Sequence, residues 1–154
     1  MIKENDLDFT GQRVLVTGAA SGIGLAIAKL FSAHGGELIL ADLNINLLKQ
    51  QEWKKGSRIS LHQYDQSDSF SIEKLAKTIG SVDIFCNNAG MIHTGPLIEQ
   101  STKIIQEIIT IDLIGPILLA RHIGESMVIR GSGVIINTAS QLAFHGSATR
   151  AAYA

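Results

Sequence analysis

A cluster of glycines gives this sequence its clearest chemical signal. Gly18, Gly22 and Gly24 follow the apolar run at residues 14–16 and precede a segment with helical spacing at residues 25–31. Glycine lets a ligand approach the backbone closely, and the first turn of a helix offers unpaired N–H groups and a partial positive charge. This arrangement favours the binding of a dinucleotide pyrophosphate. The alternative is a tight turn between strand and helix that holds no ligand.

An acidic residue marks the end of the second predicted strand. Asp42 lies 18 residues after Gly24, where a carboxylate can accept hydrogen bonds from the adenosine ribose hydroxyls and would repel a 2′-phosphate. No arginine is close by in the sequence to pair with such a phosphate, so the pattern favours NAD over NADP. The alternative is a surface aspartate that merely ends a strand.

The residues NNAG at positions 87–90 follow the fourth predicted strand. Ligands of open α/β sheets bind beside the carboxyl ends of the strands. Small residues at that edge would let a cofactor pass close to the backbone. The alternative is a turn, since turns favour asparagine and glycine for conformational reasons alone.

Periodicity predicts alternating elements that would bring these residues together. Strands are predicted at residues 14–16, 37–42, 58–64, 82–86 and 134–138. Helices are predicted at residues 21–34, 43–53 and 101–130, and in the segment after residue 68 that carries Ile72, Leu75, Ala76 and Ile79. Strict alternation indicates parallel strands joined by right-handed crossovers. No linker or repeat interrupts the pattern, so residues 1–154 are predicted to form a single α/β domain.

Composition excludes several classes of function. The net charge of −1 comes without a basic stripe, which argues against nucleic acid as a partner. No apolar run reaches the roughly 20 residues of a membrane span, and residues 1–6 lack the apolar core of a signal peptide, so no membrane partner is expected. Cys86 is the only cysteine, which excludes an internal disulfide and favours the cytoplasm. The five histidines have no ligand spacing, so no metal site is predicted.

The predicted helix at residues 101–130 is more apolar than one core-facing side requires. Its two apolar stripes comprise Ile104, Ile108, Ile111 and Leu118, and Ile105, Ile109, Leu119 and Ile123. Packing of one stripe on the sheet and the other on a second copy of the chain would explain both, which predicts a homo-oligomer. The alternative is a helix sunk into a single core.

Several of these markers, taken in order, resemble the short-chain dehydrogenase/reductase family. The run at residues 17–24 looks like that family's TGxxxGxG motif, and the NNAG run is similar to its structural motif after the fourth strand. Ser140 and Tyr153 are 13 residues apart, which is the spacing of the family's catalytic serine and tyrosine. The resemblance implies a Rossmann-type doubly wound parallel sheet, represented here by its N-terminal part with about five strands.

The resemblance also implies which residues bind NAD. The pyrophosphate would be lined by Gly18, Ser21, Gly22, Ile23 and Gly24. Asp42 would hold the adenosine ribose, and Asp65 and Gln66 would flank the adenine. The inner part of the cofactor would lie along Asn88, Ala89 and Gly90.

The implied reaction interconverts a secondary alcohol and a ketone. Ser140 would bind the substrate oxygen, and Tyr153 would exchange the proton while hydride moves to or from the nicotinamide. A free tyrosine has a pKa near 10, so a base of this type needs a nearby cation at neutral pH. In the family that cation is a lysine four residues after the tyrosine.

Two departures from the family pattern affect this interpretation. The lysine position falls beyond Ala154, so we expect the polypeptide as written to bind NAD weakly and not to turn over. Asp112 stands where the family has an asparagine inside the long helix, and its added negative charge would raise the pKa of the tyrosine. The alternative functions are a dinucleotide-binding module without catalysis and an assembly subunit that associates through the long helix.

Overall fold

The computed structural model describes residues 7–154, which form one parallel sheet with helices on both faces. Within that part of the chain the sheet has five strands in the order β3-β2-β1-β4-β5. The strands are β1 (Arg13–Thr17), β2 (Glu37–Asp42), β3 (Ile59–Gln63), β4 (Ile84–Asn87) and β5 (Val134–Asn137). The helices are α1 (Gly22–Ala33), α2 (Ile45–Lys49), α3 (Ser69–Ile79), α4 (Thr102–Ile109) and α5 (Gly115–Arg130). The predicted α/β class and the alternating order are confirmed.

The strands place alternate residues in two separate cores. On one face, Val14 and Val16 pack with Leu40 and Cys86 against α1 and α2. On the other face, residues such as Leu15 and Phe85 pack against α3 and α5. Strands buried on both faces read as continuous apolar runs, which explains the positive mean hydropathy of the chain.

The second helix is shorter than predicted. Asn44 caps its start by accepting a hydrogen bond from the Leu47 N–H, and the helix ends at Lys49 rather than near residue 53. Leu48 is fully buried and Trp53 also packs against the core. Residues five apart differ by about 140° around a helix, so a continuous helix could not turn both side chains inward.

The long helix at residues 101–130 is not a single α-helix. A π-helical turn, Thr110–Ile114, separates α4 from α5. The wider turn changes the angular register between the two helices, and the predicted stripes are therefore wrong as drawn. The buried residues of this segment come from both predicted stripes and beyond them, and comprise Ile108, Gly115, Leu119, Ile123 and Met127.

The segment before β1 packs on α1. The Phe9 and Phe31 rings meet edge to face with centroids 4.5 Å apart. The prediction that residues 1–6 carry no signal peptide concerns residues outside the described part. In residues 7–154 no helix is both long and apolar enough to cross a membrane.

Candidate cofactor cleft and active site

The glycine turn after β1 is built by close backbone contacts. Gly18 and Gly22 have φ angles of 65° and 54°, in the region that favours glycine. A Cβ on Gly18 would lie 2.9 Å from the Ala89 Cα, so the turn sits directly against the loop after β4. A Cβ on Gly24 would overlap the Gly18 carbonyl oxygen. Gly24 thus lets α1 pack onto the turn and does not itself line the cleft.

The start of α1 faces a cleft of about 660 Å³ at the carboxyl edge of the sheet. Ser21, Gly22 and Ile23 line this cleft. The Ser21 side chain makes no capping hydrogen bond to the helix. The first-turn N–H groups therefore lack the side-chain cap that usually satisfies them, which leaves them suited to an anionic ligand.

Asp42 stands at the end of β2 beside the glycine turn. Its Oδ2 accepts a hydrogen bond from the Ala20 N–H at 2.9 Å, and its Oδ1 accepts one from the Asn44 N–H at 2.8 Å. Asp42 and Asp65 both line the cleft, and no lysine or arginine does so among the described residues. The cleft therefore presents negative charge near the β2 and β3 ends.

Thr17 ties the end of β1 to the loop after β4. Its side chain is fully buried, and Oγ1 accepts hydrogen bonds from the N–H groups of Asn88 and Ala89 at 3.0 and 3.1 Å. The Asn88 side chain donates back to the Thr17 carbonyl at 3.1 Å and accepts from the Thr138 hydroxyl at 3.1 Å. Asn88, Ala89 and Gly90 all line the cleft.

A second cleft of about 440 Å³ adjoins the first, and the three predicted catalytic residues, Asp112, Ser140 and Tyr153, all line it. Tyr153 lies in the walls of both clefts. Ser140 Oγ accepts a hydrogen bond from the Leu142 N–H at 3.2 Å. Residues that are distant in the sequence therefore line one cleft.

Asp112 lies on the π-helical turn and is only partly satisfied. Its Oδ1 accepts a hydrogen bond from the Met91 N–H at 2.8 Å. Its Oδ2 is buried and has no partner among the described residues. Burial raises the pKa of the Asp112 carboxyl, and the Met91 hydrogen bond opposes this effect. The Asp112 carboxylate fits into this position, but one of its two oxygens has no hydrogen-bond donor within residues 7–154 to offset its loss of contact with water.

The Gln66 side chain is placed in a way that the sequence did not indicate. It belongs to the cleft wall, but its amide group is turned to backbone carbonyls of Ala89 and Ile111. Its predicted neighbour at the adenine, Asp65, accepts hydrogen bonds from Ser67 through one carboxylate oxygen. The sequence neighbours Asp65, Ser67 and Asp68 are polar, so the sequence held no signal that Gln66 is buried.

The histidines lie apart from any metal-binding arrangement. In residues 7–154, no three side chains of the His, Cys, Asp or Glu type are grouped closely enough to hold a metal ion. Cys86 is buried on β4, and burial raises its pKa to about 11.

The parallel sheet and its glycine turn define a nucleotide-binding domain of the Rossmann type. The sequence model described as short chain dehydrogenase matches residues 12–154. The chain belongs to the short-chain dehydrogenase family of oxidoreductases, whose solved members include complexes with NAD and with NADP.

Individual relatives agree with this placement. D-threitol dehydrogenase of Mycolicibacterium smegmatis is 34% identical over 147 residues, which cover 90% of this chain and 56% of that protein. A metagenomic short-chain oxidoreductase in complex with NADP superposes with a TM-score of 0.89 at 31% identity, covering 94% of this chain and 69% of the other.

A short-chain dehydrogenase/reductase from Burkholderia phymatum in complex with NAD superposes with a TM-score of 0.84 at 25% identity. That match covers 96% of this chain and 55% of the other. The chain spans a little over half the length of the curated relatives it matches.

Proposed function

We propose that the protein is an NAD(H)-dependent oxidoreductase that interconverts a secondary alcohol and a ketone. The observation that carries the proposal is the position of Tyr153 in the walls of both clefts. One cleft has the glycine turn and suits a dinucleotide, and the other brings Ser140 beside the same tyrosine. The relationship to D-threitol dehydrogenase supports a hydroxylated small molecule as the substrate.

The chain's own residues fit a nicotinamide dinucleotide. Gly18, Ser21, Gly22 and Ile23 would hold its pyrophosphate, because open backbone at a helix start accommodates phosphate oxygens. Gly24 would serve this site by packing. Asn88, Ala89 and Gly90 would lie along the nicotinamide half, which leads toward Tyr153. When bound, the nicotinamide accepts or supplies hydride.

The proton and the substrate oxygen are handled by two hydroxyl groups. Ser140 would donate a hydrogen bond to the substrate oxygen, which stabilises the charge that develops there. Tyr153 would take the hydroxyl proton during oxidation and return it during reduction. Asp112 would influence this proton exchange through its charge, since it lines the same cleft.

A preference for NAD over NADP is part of the proposal. Asp42 and Asp65 line the adenosine half of the cleft, and no cation among the described lining residues offsets them. A 2′-phosphate placed beside Asp42 would meet like charge. We propose that Asp42 accepts hydrogen bonds from the ribose and that Asp65 lies beside the adenine.

Calorimetric titration with NADH and NADPH tests this function. We expect the wild-type chain to bind NADH more tightly than NADPH. Asp42→Asn keeps an acceptor oxygen but removes the charge, so the ratio of NADPH to NADH affinity should rise about tenfold. Absence of dinucleotide binding would contradict the function, and an unchanged ratio would contradict the role of Asp42.

We further propose a homo-oligomer that forms through the segment of α4, the π-helical turn and α5. Ile109, Leu113 and Ile117 are exposed apolar side chains of this segment, and Leu113 and Ile117 also line the second cleft. Sedimentation velocity tests the proposal, with Ile117→Asp expected to lower the sedimentation coefficient. Ile98→Asp is the matched control, because Ile98 is 94% exposed and lies in the turn before this segment. Equal behaviour of the two variants would contradict the interface.

A cytoplasmic location is proposed on the single, buried Cys86.

A further inference from the structure

The side chain of Gln66 is buried, and both N–H donors of its amide group bind within the protein. The residue is only 6% exposed. Its Nε2 donates to the carbonyl oxygens of Ala89 and Ile111, each at 2.7 Å, and its Oε1 accepts from the Tyr64 hydroxyl at 3.3 Å. A glutamine amide has two N–H donors, so neither hydrogen remains for a ligand.

The three partners of Gln66 belong to three different segments. Tyr64 follows β3, Ala89 lies in the loop after β4, and Ile111 lies on the π-helical turn. Burial raises the pKa of Tyr64, so its hydroxyl stays protonated as a donor to Gln66. The side chain therefore connects the far end of the cofactor cleft to the turn that carries Asp112.

The absence of a side chain at Gly115 lets Gln66 lie directly against the start of α5. A Cβ on Gly115 would overlap the Gln66 carbonyl oxygen and lie 2.6 Å from its Cγ. The hydrogen bond from the Met91 N–H to Asp112 Oδ1 is a second link between the loop after β4 and the π-helical turn. The loop is thus joined to that turn on both sides of Gly90.

We propose that Gln66 is a positioning residue that fixes the loop after β4 against the π-helical turn, and that it does not contact the adenine. This proposal rests on the proposed function at one point only, which is that Ala89 and Gly90 line the half of the cleft that would hold the nicotinamide. Loss of the Gln66 amide would release Ala89 and Ile111 together, since one nitrogen holds both carbonyls. The lining of the nicotinamide half of the cleft would then change position, and the lining of the adenosine half would stay in place.

Gln66→Met tests the proposal, because methionine has a similar length and donates no hydrogen bond. We expect the NADH affinity to fall about tenfold and the AMP affinity to stay within about twofold, both by calorimetry. Amide hydrogen exchange at Met91 and across the π-helical turn should accelerate at least about tenfold, with α1 unchanged. Tyr64→Phe is the matched control. It removes the 3.3 Å contact alone, so all three readouts should stay within about threefold of wild type.

These measurements distinguish a positioning role of Gln66 from an adenine contact. They also distinguish failure of this proposal from failure of the proposed function. Equal losses of AMP and NADH affinity would overturn the proposal in favour of an adenine contact, and unchanged exchange at Met91 and the turn would also overturn it. A wild-type chain that binds no dinucleotide would contradict the proposed function, while the exchange measurement would still decide the role of Gln66.

A measurement on the wild-type chain covers the case in which Gln66→Met does not fold. The two side-chain amide protons of Gln66 should exchange with water at least about a hundredfold more slowly than those of the exposed Gln50. Equal exchange rates for the two glutamines would overturn the proposal.

Discussion

The two ends of the proposed site are held in different ways. On the cofactor side, the core of β1 is fully buried, and Thr17, Asp42 and Asn88 interlock the loops through hydrogen bonds. On the reaction side, Ser140 lies in the loop after β5. The Ser140 hydroxyl contacts only its own local turn among the described residues. The binding geometry is therefore part of the hydrophobic core, and the reaction geometry depends on local loop structure.

The largest effect is expected on the cofactor side, at Thr17. Thr17→Val keeps the shape of the buried side chain but leaves the N–H groups of Asn88 and Ala89 without their acceptor. Each unsatisfied buried N–H costs about 1–3 kcal/mol, so the free energy of unfolding should fall by roughly 3 kcal/mol in urea titrations. Thr17→Ser retains the hydroxyl and should lose about 1 kcal/mol for one buried methyl group. If both variants lose the same amount, the interlocking role of the hydroxyl is wrong.

Substitution of Asp112, which lies between the cofactor side and the reaction side, is expected to raise the free energy of unfolding by a smaller amount. The pKa of this carboxyl is raised by burial, so the contribution of Asp112 to wild-type stability falls as the pH rises from the ordinary carboxyl pKa of 3.8 through the raised value. Asp112→Asn keeps an acceptor for Met91 and removes the charge. Its gain in unfolding free energy should be about 1 kcal/mol at pH 7, reduced by water screening at this partly exposed residue, and should vanish below about pH 4. Urea titrations across this pH range measure it, and destabilisation at pH 7 would contradict the prediction.

The smallest effect on stability is expected on the reaction side. Ser140→Ala removes one hydrogen bond of 3.2 Å, so the unfolding free energy should change by less than about 0.5 kcal/mol. NADH affinity should stay within about twofold, because the Ser140 side chain lines the second cleft and not the cofactor cleft. Ser147→Ala, in the same loop, should change neither quantity. A stability loss at Ser140 as large as that at Thr17 would remove the contrast between the two ends.

The sequence predicted the parallel sheet and which residues would share one edge of it, because both depend on local patterns. Apolar runs bounded by glycine or acid mark β1, β2 and β4, and the parallel arrangement then brings Gly18, Asp42 and Asn88 to one edge. Nothing more than the element order was needed to place them together.

The interruption of the long helix had one local signal that the apolar periodicity does not contain, since Pro116 lacks the backbone N–H that a continuous helix would use. The π-helical turn is stabilised by partners outside its own segment, since Gln66 holds Ile111 and the loop after β4 holds Asp112. Helical periodicity contains no trace of those contacts, so it assigned the apolar faces as if the helix were continuous. The end of α2 was missed for a related reason, because the tertiary position of Trp53 decides it.

The position of Cys86 has a practical consequence. It is the only cysteine, lies on β4 beside β1, and has its pKa raised to about 11 by burial. Thiol reagents attack the thiolate, so the folded sheet should protect this sulfur twice, through access and through ionisation. The rate at which Cys86 is alkylated therefore measures how often the centre of the sheet opens, and no engineered label is needed.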